Sequence, residues 1–361
     1  MIEDRPVLFD AIEFDEAIAT CDVLYDLGFL LMDLWTRKLR SHANLLFNRY
    51  LWICDDVERQ LKGLSLLPLF LSLRAAIRAK VTILQPGTNG DHAKDARRYF
   101  EAACGLLAPR RLDLVAIGGL SGTGKSSLSA ALAGSIGRAP GAVHLRSDIE
   151  RKRLFDVHEF DRLPGEAYRP EATARTYQRL RDLAATALDA GQSVVIDAVH
   201  LRPEERVAVK QVASRSKAHF TGLWLEGPIN TLMEPIAKRK TDASDATADV
   251  VSAQAKQPTG AVDWLRDVAA SRPNVAEHAE SLKDEHDHAE TSPKQEAIER
   301  VLQVVDEGIR LLQRRSRWPY LGDDLLVDHF VEARQRTTGL CARHDKEGPD
   351  TPQPQTRFPG G

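Results

Sequence analysis

The chain has 361 residues, 43% of them hydrophobic and 28% charged, which allows two domains of ordinary size and excludes a disordered or fibrous class. A formal net charge of −3 excludes the basic surface that non-specific nucleic-acid binding needs. Cys21, Cys54, Cys104 and Cys341 stand far apart with no C-x-x-C pair, which speaks against a zinc site or a disulfide framework; reduced thiols in a cytoplasm are the simplest reading.

In chain order, the acidic start MIEDRPVLFD lacks the basic region and apolar run of a secretory signal. Pro6–Phe14 reads as a strand or hairpin, and helical stripes follow at Asp22–Trp35 and Leu45–Trp52. Leu64–Leu84 is a Leu- and Ala-rich helical stretch in which Pro68 begins or kinks a helix. The most apolar window, Leu61–Leu84, is interrupted by Lys62, Pro68, Arg74, Arg78 and Lys80, so no membrane span is expected. Pro86–Gly90 is a turn, and Asp95–Leu107 is a further helix.

DAIEF followed by CDVLYDLGFLLMDL, at Asp10–Leu34, resembles the end of the C-terminal lobe of aminoglycoside-phosphotransferase-like kinases. Asp22 and Asp26-Leu27-Gly28 match the segment that opens a helix in that fold, and either Asp10 or Glu13 matches its Mg²⁺-binding acid. The family's H-x-D-x-x-x-x-N catalytic loop occurs nowhere in the chain, and the N-terminal lobe is missing. The resemblance therefore implies a truncated, mainly helical C-lobe remnant over residues 1–105 that packs but does not transfer phosphate.

After residue 110 strands alternate with helices. Leu112–Ile117 is an apolar, β-prone run. Gly119, Gly124, Lys125 and Ser126 then spell G-x4-G-K-[ST], the phosphate-binding loop, and Leu128, Ala131, Leu132 and Ile136 continue at helical spacing toward Gly137, placed to end the helix. Backbone N–H groups at a helix start favour a polyphosphate, so Gly119, Ser121, Gly122, Thr123, Gly124, Lys125, Ser126 and Ser127 are the candidate ATP-binding residues. Lys125 would reach the β- and γ-phosphates, and the Ser126 hydroxyl would ligate Mg²⁺. Further strands are expected at Ala142–Leu145, Ser193–Asp197 and Phe220–Glu226, and helices at Ile149–Phe155, Ala172–Ala190 and Arg202–Ser214. Such alternation predicts an α/β fold: a P-loop NTPase-type parallel sheet with helices on both faces, over residues 110–275.

LRSDIERKRL puts Asp148 at the carboxyl end of the second strand, beside the phosphate site of an open α/β sheet. S-D-x-x-R in this place resembles the acceptor motif of small P-loop kinases such as polynucleotide kinase, zeta toxin and chloramphenicol phosphotransferase. The resemblance implies Asp148 as the base for an attacking hydroxyl and Arg151 as the acceptor clamp; an ordinary helix cap is the competing reading. Asp197 ends the strand SVVID where a Walker B acid holds Mg²⁺ through its water, or caps a following helix. His200 reads as structural, and within Leu232–Gln254 the basic cluster before DASD makes Arg239 the candidate lid arginine. His278, His286 and His288 lie in solvated, acidic surroundings with no element to hold a metal.

Together GGLSGTGKSS, LRSDIERKRL, VVIDAVHLRPEER, GLWLEGP and KRKTDASDA resemble, over residues 95 to about 265, the ATP-binding domain of bacterial bifunctional aminoglycoside-phosphotransferase/ATP-binding proteins, some labelled AAA-family ATPase. The chain departs from that family at Pro235, which stands where the lid carries its first arginine. Residues 281–295 read as a charged linker, 296–345 as a C-terminal helical segment with an amphipathic helix at Glu296–Leu312, and 346–361 as a disordered tail. The functional expectation is a cytoplasmic, ATP- and Mg²⁺-dependent kinase acting on a hydroxyl-bearing small-molecule or nucleotide-like acceptor, without membrane association. A nucleotide-switched regulatory module is the alternative, and an energy-coupling ATPase ranks last.

Overall fold

The structure is a computed structural model that describes residues 22–85, 90–228, 243–245 and 248–268. Contacts divide the chain into residues 1–297 and 298–361, and the second unit lies outside the described residues. So do the hairpin expected at Pro6–Phe14, the three linker histidines, the charged linker, the helix at Glu296–Leu312 and the tail.

Among the described residues five helices come first: α1 (Val23–Thr36), α2 (Arg40–Ile53), α3 (Val57–Gly63), α4 (Leu67–Leu84) and α5 (Gly90–Leu106). Asp22 caps α1, its Oδ1 accepting the Leu24 N–H at 2.8 Å. Pro68 stands in the first turn of α4, where no N–H is required, so it begins the helix rather than kinking it. Apolar stripes on these helices (Leu24, Leu31 and Met32 on α1; Phe47 and Leu51 on α2; Leu67 and Leu71 on α4) are buried together.

The strands β1 (Asp113–Gly119), β2 (Val143–Arg146), β3 (Val194–Asp197), β4 (His219–Glu226) and β5 (Leu265–Val268) form one parallel sheet in the order β2-β3-β1-β4-β5. Between them run α6 (Lys125–Ala133), α7 (Ser147–Leu154), α8 (Pro170–Asp189), α9 (Pro203–Arg215) and α10 (Ala248–Ala255). Alternation along β1 sorts the layers. Val115 and Ile117 pack with Leu128 and Leu132 of α6. Leu114 and Ala116 face the other way, into a core with Leu183 of α8 and Val209 of α9. Helices therefore cover both faces. β5 is not apparent in the sequence, because two of its four residues, Arg266 and Asp267, are charged.

The helix after the phosphate loop ends at Ala133, a turn earlier than Gly137 suggests. The Ala133 carbonyl accepts the Ala142 N–H at 2.7 Å as the chain turns into β2, which takes it out of the helix ladder.

The outer edge of β2 is covered by a helix. Asn44 Nδ2 donates to Pro140 O (3.1 Å) and Ala142 O (3.0 Å). Asn48 Nδ2 donates to Ala142 O (3.1 Å), and its Oδ1 accepts the His144 N–H (2.7 Å). Trp52 Nε1 donates to His144 O (2.9 Å). Spaced four apart on one face of α2, these side chains supply what a neighbouring strand would supply. Arg153 Nη2 of α7 donates to Leu51 O (2.5 Å) and Cys54 O (3.4 Å) at the end of α2. The helical segment thus holds both β2 and the helix that follows it.

Candidate active site

The phosphate loop leaves the carboxyl end of β1. Gly119 has φ +130°, and a Cβ there would lie 2.4 Å from Leu225 O, so only glycine fits. Gly124, at φ +90°, turns the chain into α6 and leaves the first N–H groups of that helix to face the loop. Lys125 is buried, and its Nζ donates to Leu120 O at 2.8 Å. Thr123 Oγ1 donates to the same carbonyl at 2.8 Å. Ser126 is half-buried and Ser127 exposed at the start of α6. The Ser121 N–H donates to Gln254 Oε1 of α10 at 3.0 Å.

Parallel register brings the acidic residues to the same end. Asp197, the last residue of β3, pairs in register with Arg146 on one side and Ile117 on the other. It is buried, with His144 Nε2 at 3.6 Å and Arg146 Nε at 3.7 Å from Oδ2. Burial alone would raise its carboxyl pKa, but the adjacent His144 imidazole and the charges of Arg146 and Lys125 outweigh it and hold Asp197 well below the usual carboxylate range. His144 is pushed down by its own burial. Asp197 therefore does not cap a helix; α9 begins only at Pro203.

Asp148 lies in the first turn of α7, directly after β2, and the N-cap position of that helix, Arg146, makes no side-chain cap hydrogen bond. Enclosure raises the Asp148 carboxyl above its ordinary value, and Asp197 adds to the rise. Arg146, a hydrogen bond from Ser244 and the charge of Lys125 oppose it. A half-buried carboxylate near a lysine and a second carboxylate is the arrangement expected of a general base.

Arg151 is buried behind this front. Its Nη1 donates to Ala167 O (2.5 Å) and Thr173 Oγ1 (3.2 Å), and its guanidinium lies 5.3 Å from the Tyr168 ring centroid. Lys152 Nζ reaches Glu159 O (2.7 Å) and Asp245 Oδ1 (3.2 Å). Asp245 Oδ2 accepts from the Leu163 N–H (2.9 Å) and the Tyr168 hydroxyl (3.1 Å). The DASD segment is thus anchored on the region around α7 through Ser244 and Asp245, while Pro235 and Arg239 lie outside the described residues.

His200 is fully buried with φ +51°. Its ring meets Tyr177 and Trp264 edge-on, with centroids at 5.5 and 5.2 Å, and burial pushes its pKa down to about 3. Its backbone N–H donates to the Tyr177 hydroxyl, which places it in the core next to the site rather than in it.

A magnesium ion bound with a nucleotide needs few protein ligands, since phosphates and water complete its shell. The donors at hand, the Ser126 hydroxyl and an Asp197 carboxylate held ionised, fit that demand. Among the described residues no cluster of three or more His, Cys, Asp or Glu forms a metal cage.

His144, Arg146 and Gln254 escaped the sequence reading. His144 and Arg146 occupy alternate positions of a strand and look like solvent-facing residues until α2 covers the edge. No local signal links Gln254 to a loop 133 residues earlier.

The strand order, the glycine-rich loop after β1, the carboxylate that closes β3 and the one that follows β2 define a P-loop α/β domain. A family model described as an AAA domain, AAA_33, matches residues 114–259. Uncharacterised proteins of Mycobacterium tuberculosis (H37Rv) and Mycobacterium bovis are 26% identical over 269 residues, 73% of this chain and 52% of theirs. The chain thus spans about half the length of the curated relatives it matches. Among solved structures, the Mycobacterium tuberculosis APS kinase CysC in complex with AMPPNP and APS is similar at 21% identity, with a TM-score of 0.35, over 49% of this chain and 98% of that one. A gluconokinase from Sinorhizobium meliloti is similar at 19% identity, with a TM-score of 0.33, over 49% and 94%. No helix among the described residues is long and apolar enough to cross a membrane.

Proposed function

We propose that the protein is a phosphotransferase that moves the γ-phosphoryl group of ATP to a hydroxyl of a small-molecule or nucleotide-like acceptor. The observation that carries this reading is the convergence of Lys125, Asp148 and Asp197 at the carboxyl ends of three neighbouring strands, with Lys125 acting electrostatically on both carboxylates. The loop amides and Lys125 would hold the polyphosphate, and Ser126 with Asp197 would hold Mg²⁺, which supplies charge neutralisation at the phosphates when bound. Asp148 would orient the acceptor hydroxyl and take its proton. Arg151 braces the acceptor side through Ala167 and Tyr168, and the charge on the transferred group would be met by Arg239 from the lid.

We read the helices over residues 22–106 as resembling the end of an aminoglycoside-phosphotransferase-like C-lobe, here set against the edge of β2. The Asp22 cap of α1 agrees with the motif on which that resemblance rests. The test is transfer from γ-labelled ATP, with Mg²⁺, to a panel of hydroxyl-bearing compounds, with Lys125→Ala as control. Label on one compound, absent in the control, supports the kinase and identifies its acceptor class. ATP that is bound but neither transferred nor hydrolysed would replace this reading with a nucleotide-switched regulatory module.

A further inference from the structure

We propose that Gln254 is the resident competitor for the phosphate cradle: its side-chain carbonyl occupies the Ser121 amide until a nucleotide phosphate takes its place. The proposal rests on the nucleotide-binding reading of the loop. Its basis is the 3.0 Å hydrogen bond from Ser121 N–H to Gln254 Oε1. Amides of a glycine-rich loop are the donors with which such a loop binds phosphate, and an amide N–H has one proton to give. A phosphate oxygen and Gln254 Oε1 thus contend for the same donor, and the anionic acceptor forms the stronger bond.

The contact has a second consequence. Gln254 follows Asp245 by nine residues, and Ser244 and Asp245 hold the acceptor side through Asp148, Lys152 and Tyr168. One segment therefore touches the phosphate loop at one end and the general base at the other. Displacing Gln254 loosens α10 at the moment the nucleotide arrives, which ties occupancy of the loop to the segment that hydrogen-bonds Asp148. The expected cost of the contest is modest, because one neutral hydrogen bond is exchanged for a charge-assisted one.

The test is calorimetric titration of the full chain with Mg-ATP. Gln254→Leu keeps the volume but has no acceptor, so it should bind ATP about five- to tenfold more tightly. Gln254→Glu keeps the contact but places a negative charge on the amide, so it should bind about tenfold or more weakly. A contact that merely shapes the loop predicts weaker binding for Gln254→Leu; unchanged or weaker binding in a folded Gln254→Leu protein overturns the proposal. If wild type binds ATP and Lys125→Ala does not, that failure belongs to Gln254 alone; if wild type does not bind ATP, the nucleotide reading falls and the proposal with it. Should Gln254→Leu fail to fold, amide exchange in wild type decides. Residues 250–255 exchange faster with ATP than without if Gln254 is displaced, and equal or slower exchange overturns the proposal.

Discussion

Asp148 and Asp197 stand at the ends of neighbouring strand–helix units, yet their surroundings push them in opposite directions. Asp197 is depressed by His144, Arg146 and Lys125, so its ionised form is stabilised by the fold. Asp197→Asn leaves the Arg146 guanidinium and the Lys125 ammonium without their counter-charge and should cost about 3 kcal/mol at neutral pH, read from urea unfolding. Asp148 is raised by enclosure, so ionising it is a burden on the folded state. The unfolded chain gives up this proton at lower pH than the native one does. Its contribution is therefore most favourable in acid and is lost as pH rises through the two values. Asp148→Asn should leave stability at neutral pH equal or higher while lowering transfer about 100-fold or more. In wild type, the acid limb of the rate should lie above the ordinary aspartate value of about 3.9. His200 titrates the other way: its native value of about 3 lies below the unfolded value of about 6.5. Above the higher value neither state binds the proton; below it the unfolded chain does, and stability falls by about 1.4 kcal/mol per pH unit. His200→Phe should flatten the melting temperature between pH 6.5 and 5, and a slope unchanged from wild type would show that another group governs acid stability.

At the scale of elements, the arrangement that most constrains the site is α2 laid along the open edge of β2. A strand edge leaves N–H and C=O groups unpaired, and here Asn48 and Trp52 satisfy those of His144 while Asn44 covers Ala142. Asn48→Ala leaves the buried His144 N–H without its acceptor and should cost about 1–3 kcal/mol, with faster amide exchange in β2 than in β1. Because Arg146 and Asp148 follow on the same strand and its helix, that variant should lose transfer more than ATP affinity, since the phosphate loop hangs from β1. Equal losses in both would show that α2 supports the whole domain rather than β2. Four helices of this segment were legible from their apolar spacing, but the short α3 (Val57–Gly63) and the surrogate-strand role were not. Asn44, Asn48 and Trp52 read as polar or amphipathic positions on a helix surface, and only the edge they meet gives them partners.

Across the described residues, one hydrophobic core runs from Leu24, Phe47 and Leu71 of the helical segment to Leu114, Ile196 and Trp224 of the sheet. The boundary near residue 107 is a change of secondary structure and not a break in the core, so residues 22–268 should melt in a single cooperative transition by calorimetry. Mg-ATP at a hundred times its dissociation constant should add about 2.7 kcal/mol to that transition, and Lys125→Ala should abolish the shift. Two separated transitions, only one responsive to ATP, would show that the helices fold on their own.

The sequence by itself determined the strand–loop–helix that starts at residue 112, though not where its helix ends, the βα alternation and the nomination of Lys125, Asp148 and Asp197. The loop and Asp197 rest on local spacing (an apolar run, glycines at two fixed offsets, an acid closing a strand), whereas Asp148 was nominated by the resemblance of S-D-x-x-R to the acceptor motif of small P-loop kinases. The tertiary structure decided the strand order, the opposite electrostatic states of Asp148 and Asp197, the edge cover by α2 and the contact between Gln254 and Ser121. The edge cover and the Gln254 contact join groups 92 to 133 residues apart in the chain, whose proximity no local pattern encodes. The strand order and the two titrations depend on register and on burial, which sets the sign of each titration only after the core has closed.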